Sequence, residues 1–349
     1  MSRRLAAVVA SLTIGGSLLA SVATIGMAQD DGTGAAPIPP PTDCVLVAAR
    51  AEVVIPDALA SPAASPVVPP AAPDATPQAS PIASPVVEVA GTPVTVATPV
   101  VDDIASSDPN AAVLAELQAT ANSIFACLNE RNFETYAAFT SDSFRGRLFG
   151  SNEPLPASQF VPLAETLPDV DSRILEFDNL QVIDPDTVAV DITYVSANQV
   201  VSATWTFVHG RVEGLQSWIL DREVPQPVRA PAGASMILVT FEDTAFNLEP
   251  ETVSGPDVVL ALNNPTAEDH EALVVRLDNG VDASVLLQGG PGFPEGVTFV
   301  GQATVLAGGE GTLVLSGLDP GTYTMVDLLP DANGLPHLSS GMEATFTVS

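Results

Sequence analysis

Between residues 110 and 130 apolar side chains recur every three or four positions. Leu114, Leu117, Ala121, Ile124, Phe125 and Leu128 fall on one face of a helix. Asp108 suits its N-cap and Pro109 its first helical position. A second short helix, near Phe133 to Phe139, adds Tyr136 and Phe139 to that face; a loop (SDSFRGRLFG) and a helix near Ala157 to Glu165 follow. The period then changes from 3.6 to 2. SRILEFDNLQVI, TVAVDITYVS, VVSATWTFVHG and RVEGLQSWILDREV are separated by PD, AN and HG turn signals. Helices followed by an antiparallel meander predict an α+β domain over 109–225.

A Pro- and Gly-bearing stretch, VPQPVRAPAGAS, marks a boundary with a linker at 226–234. From 235 to 349 the chain reads as short strands split by Gly, Pro, Asn and Asp clusters, which predicts an all-β sandwich or barrel. Residues 29–108 are different. CVLVAARAEVVI, from Cys44 to Ile55, is a short strand or a helix. The Pro/Ala/Ser/Val tract after it lacks backbone donors at its prolines and reads as an extended linker without a core.

The first 28 residues read as a signal peptide: Arg3 and Arg4, an apolar stretch, then Gly26 and Ala28 before Gln29. An uncleaved anchor is the alternative, since the apolar stretch approaches the ~20 residues that span a bilayer. No later stretch is expected to cross a membrane, so the expected location is secreted or extracytoplasmic, at the cell surface. Cys44 and Cys127 then read first as a disulfide, with two unpaired thiols as the alternative.

Charge narrows the partners. Acidic residues number 42 against 11 basic ones, all of them arginine, for a formal net charge of −31. Such a surface repels nucleic-acid phosphates and anionic headgroups. A small molecule, a protein or a divalent cation remains as partner.

The chemistry sits late in the chain. A blue-copper centre needs two imidazoles and a thiolate, with a weak axial Met. One His comes from an early strand end; the Cys, the second His and the Met share a loop between two late strands. His270 follows a predicted strand in LNNPTAEDHEALVVRL, and His337 and Met342 share the stretch YTMVDLLPDANGLPHLSSGM.

Two resemblances follow from these stretches. IFACLNERNFETYAAFTSDSFRG, with the helix-then-meander order, resembles the NTF2-like (SnoaL-like) cone fold over about 109–225. ILVTFEDTAFNLEPETVSGPDVVLALNN and AGGEGTLVLSGLDPGTYTM resemble a cupredoxin over 236–349, implying a Greek-key β-sandwich. The cupredoxin resemblance implies His270 and His337 as imidazole ligands and Met342 as axial sulfur. Its cysteine position holds Asp327.

That departure implies no blue-copper electron transfer. The leading expectation is an exported, non-catalytic binding or accessory protein with a degenerate cupredoxin domain and no cofactor. The alternative is copper or zinc, as Cu(II) or Zn(II), held by His270, His337 and Asp327, a donor set that suits either ion. A second alternative is small-molecule binding or catalysis in the cone, with Asp191, Tyr194 and Arg211 as candidates to face its cavity. No catalytic residue is assigned. Trp205, Phe207 and Trp218 are expected to line the cone core, and His209 to sit at a surface turn. The acids of EPETVSGPDVV and PTAEDHE are read as solvated loops.

Overall fold

The structure is a computed structural model that describes residues 43–55, 110–212, 214–288 and 292–349. The expected signal peptide, the Pro-rich tract after Ile55 and the helix-capping pair Asp108 and Pro109 lie outside the described residues.

The first unit opens with α1 (Ala111–Asn129), α2 (Phe133–Ala138), α3 (Asp142–Leu148) and α4 (Ala157–Ala164). Four antiparallel strands follow in sequence order: β1 (Ser172–Asp184), β2 (Thr187–Ser196), β3 (Gln199–Val212) and β4 (Leu215–Gln226). The apolar face of α1 is the one its periodicity implies. Leu117, Ala121, Ile124 and Phe125 are buried, and Leu114 and Leu128 pack at the rim. Phe125 meets Tyr194 of β2 and Trp205 of β3, with ring centroids 5.1 and 5.5 Å away. Trp205, Phe207 and Trp218 join the same core.

Two local expectations need correction. The described helix begins at Ala111, and the Asn110 side chain before it is bonded to the strap instead of capping it: its Nδ2 donates to Val54 O (3.0 Å), and its Oδ1 accepts from Val54 N (2.8 Å). SDSFRGRLFG is largely helical, as α3, capped by Ser141 Oγ accepting from Phe144 N. The buried Arg145 guanidinium stabilises that turn by donating to the carbonyls of Ala137 (2.6 Å), Thr140 and Leu155 (3.0 Å) and to the Asp142 carboxylate. Finally, α1 is long and apolar enough to cross a membrane by length and composition, although half of that stretch is buried inside the protein.

Residues 43–55 form neither strand nor helix; they are an extended strap laid over this core. Glu116 Oε1 accepts from the N–H groups of Arg50 and Ala51 (both 2.8 Å), and Ala49 N donates to Gln216 O (2.8 Å). Cys44 is disulfide-bonded to Cys127 of α1.

The second unit is a β-sandwich. One layer takes β5 (Ser235–Glu242), β6 (Ala245–Glu249), β8 (Val258–Asn263) and β11 (Glu310–Leu315). The other takes β7 (Thr252–Val253), β9 (His270–Leu277), β10 (Val297–Val305), β12 (Gly321–Val326) and β13 (Glu343–Val348). Alternate residues from both layers fill the space between: Ile237, Val239 and Phe241 from β5, Leu260 from β8, Val274 from β9, Met325 from β12 and Phe346 from β13.

The two units share a sheet. Gln199 at the start of β3 pairs with Leu315 at the end of β11, giving the order β1-β2-β3-β11-β8-β5-β6, with β4 also on β3. The turn between β2 and β3 docks onto the sandwich. Asn198 donates from Nδ2 to the carbonyls of Ser316 (3.1 Å) and Gly317 (3.2 Å), and its own carbonyl accepts from Ser316 N (2.8 Å). Gly301 permits this approach, since a Cβ there would lie 2.8 Å from Leu315 Cδ2 and 3.2 Å from Gln199 Cβ.

The disulfide spans 83 positions, and a loop of that length constrains the unfolded chain by roughly 4–5 kcal/mol. Cys44→Ser is expected to lower unfolding stability by about that amount in chemical denaturation. An unchanged midpoint and slope would show that the strap's hydrogen bonds suffice without the bond.

Candidate functional site

At one end of the sandwich the loop before β9 is organised by Asn264, which is fully buried. Its Nδ2 reaches the carbonyls of Glu268 (2.9 Å), Val305 (3.0 Å) and Leu306 (3.1 Å), while its Oδ1 accepts from Thr266 N (3.1 Å) and Oγ1 (2.7 Å). This delivers His270 to the first position of β9, where its ring stacks on Phe241 at 5.5 Å.

Asp327 and His337 come from the loop between β12 and β13. Asp327 O accepts from Leu338 N (2.8 Å), His337 N donates to Leu329 O (3.0 Å), and Met342 N donates to His337 O (3.2 Å). His337 begins a short 3₁₀ turn that ends at Gly341, whose φ of 96° lies in the left-handed region. The loop is therefore closed by its own backbone before its side chains are considered.

Those side chains converge. His270 Nδ1 lies 2.7 Å from Asp327 Oδ2, and His337 Nδ1 lies 3.4 Å from the same oxygen. The imidazole centroids are 4.6 Å apart, and one donor atom from each of the three residues falls within 4.8 Å of the others. All three residues are buried, Asp327 at 0% exposure. Met342 is also fully buried, and its carbonyl faces Asp327 N at 3.4 Å.

The hydrogen-bond pattern leaves a gap. Asp327 Oδ1 accepts from Leu329 N (2.8 Å), and Oδ2 takes the His270 Nδ1 contact. The outer nitrogen of His337, Nε2, meets Glu268 Oε2 at 3.0 Å. His337 Nδ1 and His270 Nε2 are buried without a hydrogen bond. A buried ring nitrogen aimed at a carboxylate oxygen 3.4 Å away calls for a cation or a proton between them. Two imidazoles and a carboxylate are donors suited to Zn(II) or Cu(II). The residues fit such an ion.

Burial raises the Asp327 pKa, opposed by the His270 hydrogen bond, the Leu329 N–H and the nearby His337. Glu271, the next residue along β9, is buried as well. Its carboxyl is pushed up to about 8, first by burial and then by the charge of Asp327, against one backbone bond from Leu328.

Sequence reading named His270, Asp327, His337 and Met342 but treated the acids of PTAEDHE as solvated. Glu268 is exposed as expected but also touches His337, and acids within two positions of a candidate ligand were the signal available for that contact.

A second site lies in the α+β unit. A cavity of about 50 Å³ is lined by Phe125, Tyr136, Phe160, Tyr194, Trp205 and Glu223 among others. Of the three residues expected to face it, Tyr194 alone lines it. Asp191 points to the other face, accepting from Thr204 Oγ1 (2.7 Å) and Asn179 Nδ2 (2.6 Å), and Arg211 is exposed. Glu223 was missed because a bulge breaks the alternation of β4. Phe207 pairs with Leu220 and Thr206 with Arg222, so Asp221 is the extra residue and Glu223 turns inward beside Trp205. His209 is not at a turn but within β3, stacked on Trp218 at 3.8 Å.

No protein-family model matches the chain, and no curated relative matches it. Solved structures similar to its C-terminal region include the auracyanin of the photosynthetic bacterium Roseiflexus castenholzii, 22% identical with a TM-score of 0.25 over 34% of this chain and 99% of that one. Auracyanin A, a "blue" copper protein of Chloroflexus aurantiacus, is 17% identical with a TM-score of 0.26 over 34% of this chain and 100% of that one. A multicopper oxidase of Campylobacter jejuni is 9% identical with a TM-score of 0.21; the match covers 46% of this chain and 43% of that oxidase.

The Glu271 shift has a sign. Its folded pKa, about 8, lies above the ordinary 4.5, so its stabilising contribution is complete below the lower value and is lost as pH rises through the higher one. Glu271→Gln is expected to raise the melting temperature relative to the parent at about pH 9 and to change it little at about pH 5. Equal effects at both would show that Glu271 does not titrate in this range.

Proposed function

We propose that this chain is an exported binding or accessory protein whose C-terminal sandwich is cupredoxin-like and holds a divalent cation through His270, His337 and Asp327. The convergence of three buried donor atoms, one of them the unbonded His337 Nδ1, carries this reading. The chain's two cysteines are joined to each other, so no thiolate is left to act as a soft ligand. Blue-copper electron transfer is therefore absent from the proposal.

A Cu(II) or Zn(II) ion bound there would supply the positive charge that the buried Asp327 carboxylate lacks. The protein residues have separable tasks. Asp327 is aimed by the Leu329 N–H, His270 is oriented by stacking on Phe241, and His337 is fixed from outside by Glu268 Oε2 on Nε2. An outer carboxylate on a ligand imidazole fixes its tautomer and leaves Nδ1 free for the ion. The α+β unit, with its helices before an antiparallel meander, is read as NTF2-like, and a disulfide suits an extracytoplasmic setting. The role is binding rather than turnover.

Calorimetric titration of the full chain with Cu(II) and with Zn(II), followed by EPR for copper, tests the reading. One equivalent is expected to bind with a Kd below about 1 µM, without intense visible colour. His337→Ala is expected to weaken it by about a hundredfold or more, and affinity is expected to fall as pH falls, because protons compete for all three ligands. If neither ion binds, the trio is a closed hydrogen-bonded knot and the proposal fails.

A further inference from the structure

The cavity of the α+β unit is separate from the cation site and stands on different observations. Its wall is almost entirely apolar, and three of its rings, Phe125, Tyr194 and Trp205, pack mutually at 5.1 to 5.8 Å. The exceptions are Ser196, whose Oγ accepts from Ser172 Oγ (3.0 Å), and Glu223. Its Oε2 accepts from Trp205 Nε1 (2.9 Å) and its Oε1 from the Tyr194 hydroxyl (3.3 Å). These donors fix the carboxylate in place without neutralising it.

Among the described residues no cationic side chain pairs with Glu223. Arg145, on α3, spends its guanidinium on the carbonyls of Ala137, Thr140 and Leu155 and on Asp142. The adjacent Arg222 is exposed. The other titratable groups near Glu223 are the phenols of Tyr136 on α2 and Tyr194 on β2; both are raised by burial first and by Glu223 second. Burial likewise pushes Glu223 itself up to about 7. A carboxylate held at an apolar cavity by two neutral donors is complemented by a ligand that brings a positive charge on an apolar body. Aromatic walls add to that preference, because ring faces attract cations.

We propose that this cavity binds a small primary alkylamine, its ammonium group on Glu223 and its alkyl chain among Phe125, Tyr136, Phe160 and Trp205. The size limit follows from the volume. About 50 Å³ accommodates roughly three to five water-sized groups, at ~10–15 Å³ each, which suits a short chain rather than a ring system. With its carboxyl pushed up to about 7, Glu223 is part-protonated near neutrality, and the ammonium displaces that fraction, so binding releases less than one proton per site to solvent.

The test uses the full chain with n-butylamine, n-butanol and butyrate, read by tryptophan fluorescence and by calorimetry in two buffers of different ionisation enthalpy. The amine is expected to bind at least about tenfold more tightly than the alcohol, with butyrate weaker still, because the site is built around a carboxylate. Its heat is expected to differ between buffers near pH 7, reporting the released proton. Glu223→Gln is expected to lower amine affinity at least about tenfold, abolish the buffer dependence and change n-butanol binding far less than amine binding. Amine and alcohol binding equally, butyrate binding best, or none of the three binding would each overturn the proposal. If the Gln variant does not fold, the amine-to-alcohol ratio of the unmodified chain decides the matter alone.

Discussion

Asp327 carries a carboxylate with no exposed surface between two imidazoles, and the local structure at that end of the sandwich follows from how this charge is compensated. A buried carboxylate is costly unless hydrogen-bonded or paired. Here the Leu329 N–H takes one oxygen and His270 the other, while Leu328 N bonds the neighbouring Glu271. The loop after β12 is therefore folded around two acids, Asp327 just past the end of β12 and Glu271 on the adjoining β9. Where a thiolate would favour a soft, redox-active ion, a carboxylate favours a harder and quieter one.

The second constraint is mechanical. The β2–β3 turn is at once the tip of the meander and a plug in the sandwich, because Asn198 satisfies the carbonyls of Ser316 and Gly317 while Gln199 pairs with Leu315. A small apolar cluster of Val195, Val200, Val259 and Val314 lies beside this junction. The junction therefore combines directional hydrogen bonds with apolar contact.

Much of this was readable in the order of residues. The 3.6-residue period of α1 and the period-2 run of β2 and β3 are direct records of one-sided burial. His270, Asp327 and His337 could be singled out by spacing and resemblance, and the structure brings them together. Three things were hidden, each for a physical reason. α3 is stabilised by carbonyls 5, 8 and 10 residues from Arg145 that meet its guanidinium, beyond the one-turn reach of helical propensity. Glu223 sits past a bulge, and one extra residue reverses every inside–outside assignment after it. Glu268 is an ordinary loop acid until the fold places it against His337. The docking of Asn198 was legible only as a turn, since its partners are more than a hundred residues away.

The strap carries a topological consequence. Val54 and Asn110 are hydrogen-bonded to each other in both directions, and Cys44 is covalently joined to Cys127, so the chain on either side of residues 56–109 is fixed at one spot of the first unit. A single proteolytic cut anywhere between Val54 and Asn110 would open this ring without releasing a fragment. The two pieces would remain one covalent species, and only a reductant would reveal the nick. The strap is thus a riveted part of the first unit, and its retention does not depend on the integrity of the chain that connects it.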